Sequence, residues 1–198
     1  FDSQEKFSRF IATRMGYDWN RGRMDLAPHP FTTSFGYGDV RITTRYLETD
    51  GMSSLFSTMH EAGHALYDQG LDPKYRNTSL GRPTSLAVHE SQSRFWENLI
   101  GRSEAFWQFA FPIVQMLFPE HLATLSLDQF YRGINRVEPS LIHIEADEAT
   151  YNLHIMLRFE IETGLIEGKL QAKDLPEIWN SRMQAYLGVT PPDDSSGV

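Results

Sequence analysis

The sequence predicts a mainly α-helical fold with a short β-segment near residues 39–47. Apolar residues recur at helical intervals along most of the chain, and Pro or Gly residues separate these stretches. In contrast, residues 40–46 alternate with a period of two, which is typical of a strand. A chain of 198 residues with 40% hydrophobic residues can bury one sizeable core. We therefore expect one unit over residues 1–198, ending in a flexible Pro-, Asp- and Ser-rich tail at 191–198.

The first predicted elements are a helix, a long loop and the strand. Residues 7–15 are amphipathic, and the next segment, up to residue 38, is rich in Gly, Pro and aromatic side chains, which indicates a loop. The strand follows, with Val40 and Ile42 on one face and Arg41 and Thr43 on the other. Such a strand at the edge of a sheet can bind an extended peptide through its backbone. The alternative is a surface strand whose charged side chains pair with one another.

Six further helices are predicted by apolar periodicity and by the residues at their ends. The first of them has Ser53 near its start and Gly70 just past its end, as helix termini often do. Pro119, Pro139 and a Gly-rich turn at 164–168 separate the later helices. The predicted helices cover residues 51–70, 85–97, 103–118, 126–136, 140–163 and 175–187.

The composition excludes several classes of protein and of site. The net charge of −8 argues against binding to nucleic acid. No stretch reaches the roughly eighteen consecutive apolar residues that span a bilayer, and no signal peptide is visible, so we expect a cytoplasmic protein without membrane contact. The absence of Cys excludes disulfides and thiolate ligands, which leaves His and carboxylate side chains as possible zinc ligands.

The most informative motif is the pentapeptide His60-Glu61-Ala62-Gly63-His64. Side chains four residues apart lie on the same face of a helix, so the two imidazoles can bind one metal ion. A catalytic zinc ion takes three protein ligands and leaves a fourth position for water, whose pKa falls to about 7. We expect Glu61 to accept a proton from that water as a general base. The glycine is a weak helix former and indicates close approach of another part of the chain.

A third ligand is expected from the second of these helices, at residues 85–97. This segment contains the pair His89-Glu90, and the chain between the two motifs is long enough for the second helix to fold back on the first. We predict Glu90 as the third zinc ligand, and Glu97 on the same face as a residue that supports a ligand imidazole. The alternative is that His89 and Glu90 are ordinary solvated helix residues.

Together these motifs resemble the carboxypeptidase Taq family of thermostable zinc metallocarboxypeptidases, over nearly the whole chain. The zinc-binding helix of that family is similar to residues 60–64, and its His-Glu-Ser-Gln motif is found at residues 89–92. Its Asp-x-Arg-x-Thr element is matched by Asp39, Arg41 and Thr43. The resemblance implies the catalytic region of a helical metallopeptidase. It places these three residues in substrate binding, with Arg41 as the candidate partner of a terminal carboxylate.

A further family element, Ile-Arg-x-x-Ala-Asp, resembles residues 142–147, with His143 at the position of the arginine. We expect His143 to take part in substrate binding with a shorter and usually neutral side chain. Glu145 and Asp147 are expected to accept hydrogen bonds from ligand imidazoles. The last family motif would begin at Gly197, and family members are considerably longer, so the chain is expected to be a fragment of a larger enzyme.

The resemblance implies a zinc-dependent metallocarboxypeptidase that removes C-terminal amino acids from peptides, with Co²⁺ or Mn²⁺ as other possible metals. In the expected mechanism the metal polarises the peptide carbonyl, and Glu61 passes the proton of the attacking water to the leaving amine. The full-length enzyme is expected to be a homodimer. Two alternatives stay open at this point: a zinc endopeptidase or aminopeptidase with the same centre, and a zinc-binding fragment without catalytic activity.

Overall fold

The computed structural model describes residues 1–197, apart from the side chain of Glu145. As the sequence predicts, the chain is mainly helical. The predicted β-segment belongs to a small three-stranded sheet near the start of the chain. The helices are α1 (Asp2–Met15), α2 (Gly51–Gln69), α3 (Leu86–Arg94), α4 (Glu104–Leu117), α5 (Pro119–Leu122), α6 (Leu127–Ile134), α7 (Tyr151–Ile166) and α8 (Leu175–Leu187). The strands are β1 (Met24–Leu26), β2 (Thr32–Ser34) and β3 (Val40–Thr44).

The chain forms two compact units, Phe1–Tyr131 and Arg132–Val198. One catalytic region is expected over residues 1–198, and each unit has a hydrophobic core of its own among the described residues. One core surrounds α2 and the sheet, and the other joins α7 to α8. That both units serve a single catalytic region stays a prediction.

In the first unit, α2 is the central element. It packs against α1, α3 and the strands β2 and β3. Ala62 and Ala65 of α2 are fully buried against Val40 and Ile42 of β3, and these small side chains let the sheet lie close to the helix. The helix that carries the His-Glu-x-x-His motif is therefore fixed in place by two other helices and by the sheet.

The sheet has the strand order β1–β3–β2. β3 pairs in parallel with β1, where Met24 lies opposite Ile42, and antiparallel with β2, where Thr32 lies opposite Ile42. The predicted strand is present but ends at Thr44. The prediction of a loop over residues 16–38 is wrong at β1 and β2, because strands of three residues are too short to show a period.

Side-chain caps define where the two motif-bearing helices begin. The carboxylate of Asp50 accepts hydrogen bonds from the backbone N–H groups of Met52 and Ser53, both at 3.0 Å, at the start of α2. The hydroxyl of Ser85 accepts one from the N–H of Val88 at 3.2 Å, at the start of α3. Both helices begin within one residue of their predicted starts.

The second of these helices changes its geometry before it ends. The sequence predicts one helix over residues 85–97, but α3 stops at Arg94 and continues as a π-helical segment, Phe95–Ile100. The N–H of Gly101 bonds the carbonyl oxygen of Trp96, five residues earlier, at 2.8 Å. Such π-turns are frequent at functional sites.

The two motif-bearing helices touch at Gly63. A Cβ atom at this position would lie 2.7 Å from Cα of Ser93 and 2.8 Å from the carbonyl oxygen of Gln92. Both contacts are with backbone atoms, which cannot rotate away as the end of a side chain does. The predicted close approach at this glycine is confirmed, and it sets the distance between α2 and α3.

We expect Gly63→Ala to destabilise the chain, although alanine is the better helix former. Overpacking costs about 1–3 kcal/mol, whereas alanine gains at most about 1 kcal/mol over glycine in a helix. Urea unfolding of the parent and the variant measures the difference. The control is Gly133→Ala in α6, where a Cβ atom meets nothing within 4 Å, and this change is expected to be neutral or stabilising. Equal effects of the two substitutions would contradict the prediction.

In the second unit, α7 packs against α8. The unit has its own core, formed by Leu157, Ile161, Trp179, Met183 and Leu187. The predicted helix over residues 175–187 is confirmed without change as α8.

The helix predicted over residues 140–163 is wrong at its start. α7 begins only at Tyr151, and a single 3₁₀ turn covers His143–Glu145. The carboxylate of Asp147 accepts hydrogen bonds from the N–H groups of Ala149 and Thr150, both at 2.9 Å. These bonds fix a turn ahead of α7 and give the chain an alternative to helix at this point.

The end of the described chain contains one short turn. Residues Asp194–Ser196 form a 3₁₀ turn, in which the carboxylate of Asp193 accepts a hydrogen bond from the N–H of Ser196 at 2.9 Å. Pro191 is buried. The flexibility expected for residues 191–198 stays a prediction.

Candidate metal centre

The structure brings the three predicted ligands together where α2 meets α3. His60 and His64 lie one turn apart on α2, with ring centroids separated by 4.9 Å. Their Nε2 atoms lie 3.6 Å and 3.2 Å from Oε2 of Glu90 on α3. One ligand atom from each of the three residues lies within 4.8 Å of the other two. The side chains therefore converge on a single point.

The donor set and its spacing fit a divalent metal ion. Two imidazole nitrogens and one carboxylate oxygen form a common ligand set of catalytic zinc sites. A tetrahedral zinc ion with ligand bonds of about 2.0–2.2 Å separates its ligand atoms by roughly 3.3 Å. The observed separations of 3.2 Å and 3.6 Å are close to this value. Three protein ligands leave one coordination position for water or substrate.

Two charged side chains hold the ligands in place. Nδ1 of His60 donates a hydrogen bond to Oε2 of Glu97 at 2.8 Å, which leaves Nε2 as the nitrogen with the lone pair. Arg94 donates to Oε1 of Glu90 at 3.0 Å and to Oε2 of Glu97 at 2.8 Å. Glu97 thus takes the position expected from the sequence, while Arg94 is an addition that joins the two carboxylates.

The charges around the ligands favour a cation. Burial raises the pKa of the Glu90 carboxyl, but its contact with His64 and the charges of His60 and Arg94 outweigh burial and lower the pKa to about 2. Burial lowers the pKa of the His60 imidazole, whereas the hydrogen bond to Glu97 and the nearby carboxylates raise it above its ordinary value. A metal ion at this predicted ligand would compete with a proton, so we expect metal binding to release protons.

Glu61, the predicted general base, is held by the sheet. Its side chain is buried, with 6% of the residue exposed. The hydroxyl of Thr32 on β2 lies 2.6 Å from Oε2 of Glu61 and 2.9 Å from its backbone carbonyl oxygen. Among the described contacts, Oε1 accepts no hydrogen bond. This oxygen is therefore the one available to take a proton.

With Glu61 as the predicted general base of a metal-dependent hydrolysis, Thr32→Val is expected to reduce turnover while leaving the metal in place. Valine has the shape of threonine but no hydroxyl, so Glu61 loses the bond that orients its carboxylate. A misplaced catalytic group costs up to about a hundredfold in rate. The measurement is kcat for an N-blocked dipeptide together with elemental metal analysis. Thr33→Val is the control, because side chains of consecutive strand residues point to opposite faces. An unchanged kcat in Thr32→Val would contradict the assignment.

His64 is joined to a further imidazole. Its Nδ1 lies 2.7 Å from Nδ1 of His89, and Nε2 of His89 lies 3.4 Å from Oδ1 of Asp68. The side chain of His89 is only 17% exposed and packs edge-on against Tyr67, with ring centroids 5.0 Å apart. The alternative in which His89 is an ordinary solvated residue is therefore wrong.

Comparisons with known proteins identify the family. The model of the carboxypeptidase Taq (M32) metallopeptidases matches residues 1–198. The chain belongs to the M32 metallopeptidase family. Thermostable carboxypeptidase 1 of Thermus thermophilus is 49% identical over 197 residues, which cover 100% of this chain and 38% of that protein. Carboxypeptidase 1 of Bacillus subtilis is 44% identical over 197 residues, which cover 100% of this chain and 39% of that protein.

Solved structures of carboxypeptidases have the same fold. The crystal structure of the M32 carboxypeptidase from Deinococcus radiodurans R1 shares 48% sequence identity, with a TM-score of 0.96 over 100% of this chain and 40% of that chain. Metallocarboxypeptidase 1 of Trypanosoma cruzi shares 40% identity, with a TM-score of 0.90 over 99% of this chain and 41% of that chain. The predicted helical fold and family are confirmed. The chain spans about two fifths of the length of these relatives.

The M32 element Asp-x-Arg-x-Thr lies on and next to β3. Arg41 donates two hydrogen bonds to Asp39, at 2.8 Å and 2.7 Å, and its guanidinium lies 5.1 Å from the ring centroid of Phe35. Thr43 is buried, and its hydroxyl accepts a hydrogen bond from the N–H of Phe31 at 2.9 Å. In this structure Arg41 is paired with Asp39, and Thr43 ties β3 to the start of β2. Their roles in substrate binding stay predictions.

The M32 element at residues 142–147 lies in the second unit. The ring of His143 packs against Tyr151, with centroids 4.3 Å apart. The carboxylate of Asp147 accepts hydrogen bonds from the backbone N–H groups of Glu138, Ala149 and Thr150. Asp147 therefore caps the turn ahead of α7, and its predicted contact with a ligand imidazole stays a prediction. The side chain of Glu145 lies outside the described residues, and substrate binding by His143 stays a prediction.

Proposed function

We propose that this chain carries the catalytic centre of a zinc-dependent metallocarboxypeptidase, which removes C-terminal amino acids from peptides. The observation that carries the proposal is the cluster of two imidazoles and one carboxylate, next to the buried Glu61, in a chain of the M32 family. Curated relatives named carboxypeptidases support the same reaction. The donor set favours zinc, with Co²⁺ or Mn²⁺ as alternatives.

Each residue of the centre has a distinct part in the proposed reaction. When bound, the metal lowers the pKa of a water molecule and polarises the peptide carbonyl. His60, His64 and Glu90 hold the ion. Glu61 accepts a proton from the water through Oε1, because Thr32 already donates to Oε2. The same carboxyl group then gives this proton to the leaving amine, so that the acid–base cycle closes.

The substrate is proposed to lie along the sheet edge. β2 is an edge strand, and such strands bind extended peptides through backbone hydrogen bonds. Thr32 links this edge to the carboxylate of Glu61. The two hydrogen bonds to Asp39 use two of the five N–H groups of Arg41, so the others can bind a terminal carboxylate while the pair stays closed.

Two further expectations concern location and assembly. Within residues 1–197, no helix combines the length and the apolar character that crossing a bilayer requires. The cytoplasmic location and the homodimer expected from the sequence stay predictions.

The test combines metal analysis with a hydrolysis assay on the purified chain. Elemental analysis gives the metal content after incubation with zinc and dialysis. An N-blocked dipeptide is then incubated with the chain loaded with Zn²⁺, Co²⁺ or Mn²⁺, and the released free amino acid is measured. We expect about one metal ion per chain and release of the C-terminal amino acid.

Other outcomes identify the alternatives. Cleavage of a peptide blocked at both ends would show an endopeptidase, and activity restricted to peptides with a free N-terminus would show an aminopeptidase. Bound zinc that raises the melting temperature without turnover would show a metal-binding portion without catalytic activity. Absence of bound metal would overturn the site itself.

A further inference from the structure

We propose that His89 and Asp68 are positioning residues, which fix the hydrogen of His64 on Nδ1 so that its Nε2 presents a lone pair to the metal. The inference deepens the proposed function and rests on it. The observation behind it is the row of contacts from His64 through His89 to Asp68, at 2.7 Å and 3.4 Å. Residues of this kind orient metal ligands and hold one tautomer.

The hydrogen positions along this row follow from the chemistry of imidazole. A neutral imidazole has one N–H group and one nitrogen with a lone pair. For Nε2 of His64 to bind the metal through its lone pair, the hydrogen of this imidazole must lie on Nδ1, from which it is donated to Nδ1 of His89. His89 then carries its own hydrogen on Nε2, which points to the carboxylate of Asp68. In this arrangement Nδ1 of His64 and Nε2 of His89 each donate a hydrogen bond, and Nδ1 of His89 accepts one.

The surroundings strengthen this arrangement. The side chains of His89 and Asp68 are 17% and 11% exposed, so water screens their contact only weakly. Asp68 lies one helical turn beyond His64 on α2, and His89 directly precedes Glu90 on α3. The pair therefore also connects the two helices that supply the ligands.

The two ligand histidines are supported in different ways. Nδ1 of His60 contacts the carboxylate of Glu97 directly, whereas Nδ1 of His64 contacts the imidazole of His89, which in turn contacts the carboxylate of Asp68. Removal of His89 therefore leaves His64 without its hydrogen-bond partner and allows the other tautomer, in which Nε2 carries the hydrogen and cannot bind metal.

The test measures the zinc dissociation constant of the full chain by competition with a chromophoric chelator. We expect His89→Phe, which keeps a ring but no acceptor, to weaken zinc binding about ten- to hundredfold. We expect His89→Asn to recover most of the affinity, because its amide oxygen can occupy the position of Nδ1 and accept from His64. The control is His121→Phe, an exposed histidine, which is expected to leave the affinity unchanged.

Melting temperatures without metal show whether each variant folds, and only folded variants are compared. Parent-like affinity in His89→Phe would overturn the positioning role and leave the proposed function intact. Equal losses in His89→Phe and His89→Asn would also overturn it, because the acceptor would then not matter. Failure of the parent chain to bind zinc would overturn the proposed function, and the positioning role with it.

Discussion

Glu61→Gln is expected to abolish measurable peptide hydrolysis while leaving the metal in place. Glutamine has the size of glutamate, and its amide oxygen can still accept the hydrogen bond from Thr32, so the side chain keeps its position. An amide cannot take a proton from water at neutral pH, and loss of a general base costs about 10²–10⁴-fold in rate. The measurement is kcat at saturating N-blocked dipeptide, together with the metal content of the same sample.

The control for this substitution is Glu104→Gln, which neutralises an exposed carboxylate in the first turn of α4. It removes the same charge without touching the centre, and we expect parent-like turnover. Retention of the parent kcat in Glu61→Gln would show that another group accepts the proton. Loss of the metal together with the activity would show that Glu61 is needed to assemble the site, which also contradicts the prediction.

Glu90→Gln is expected to remove the metal. Glu90 is the negatively charged residue among the three proposed ligands, and its pKa of about 2 keeps it ionised at any ordinary pH. A neutral amide lacks this charge. We therefore expect the metal affinity to fall by more than the ten- to hundredfold that is typical of losing a residue that only supports a ligand. A competition titration with a chelator measures this loss directly.

Two comparisons make the result specific. Glu97→Gln changes the residue that supports His60, and we expect an intermediate loss of affinity. Glu104→Gln is expected to have no effect. The predicted order of the losses is therefore Glu90, then Glu97, then Glu104. Equal affinities in the first two variants would mean that Glu90 is not a ligand.

The main parts of the centre could be predicted because they depend on spacing within helices. The four-residue separation of His60 and His64 places both imidazoles on one face, whatever else the chain does. Glu90 follows in the next long helix, and a helical hairpin brings neighbouring helices together. Gly63 indicated the close contact between them, and the structure places backbone atoms at that point.

Other parts depend on contacts that one sequence does not show. Thr32 reaches Glu61 from a strand of three residues inside a segment that looks like a loop. The role of His89 depends on how α3 is rotated, which periodicity does not determine to within one residue. Arg94 and Asp68 could have been found, because each lies four residues after a predicted ligand on the same helix.

The start of α7 shows a different limit. Apolar residues continue the helical pattern upstream of Tyr151, but the carboxylate of Asp147 bonds the N–H groups of Ala149 and Thr150 and turns the chain. Hydrophobic periodicity indicates which face of a segment becomes buried. It does not show that a side chain forms hydrogen bonds with nearby backbone N–H groups and so shifts the start of a helix.

The crossing of α2 and α3 also bears on the order in which the chain folds. His60 and Glu90 are thirty residues apart, so the ligands belong to consecutive helices rather than to distant parts of the chain. Closing such a short loop costs little entropy, and local contacts form early in folding. Because metal binding is coupled to the folding of the segment that supplies the ligands, the ion can stabilise this hairpin before the sheet and the later helices have docked. The metal would then help the two helices to fold against each other, in addition to its part in catalysis.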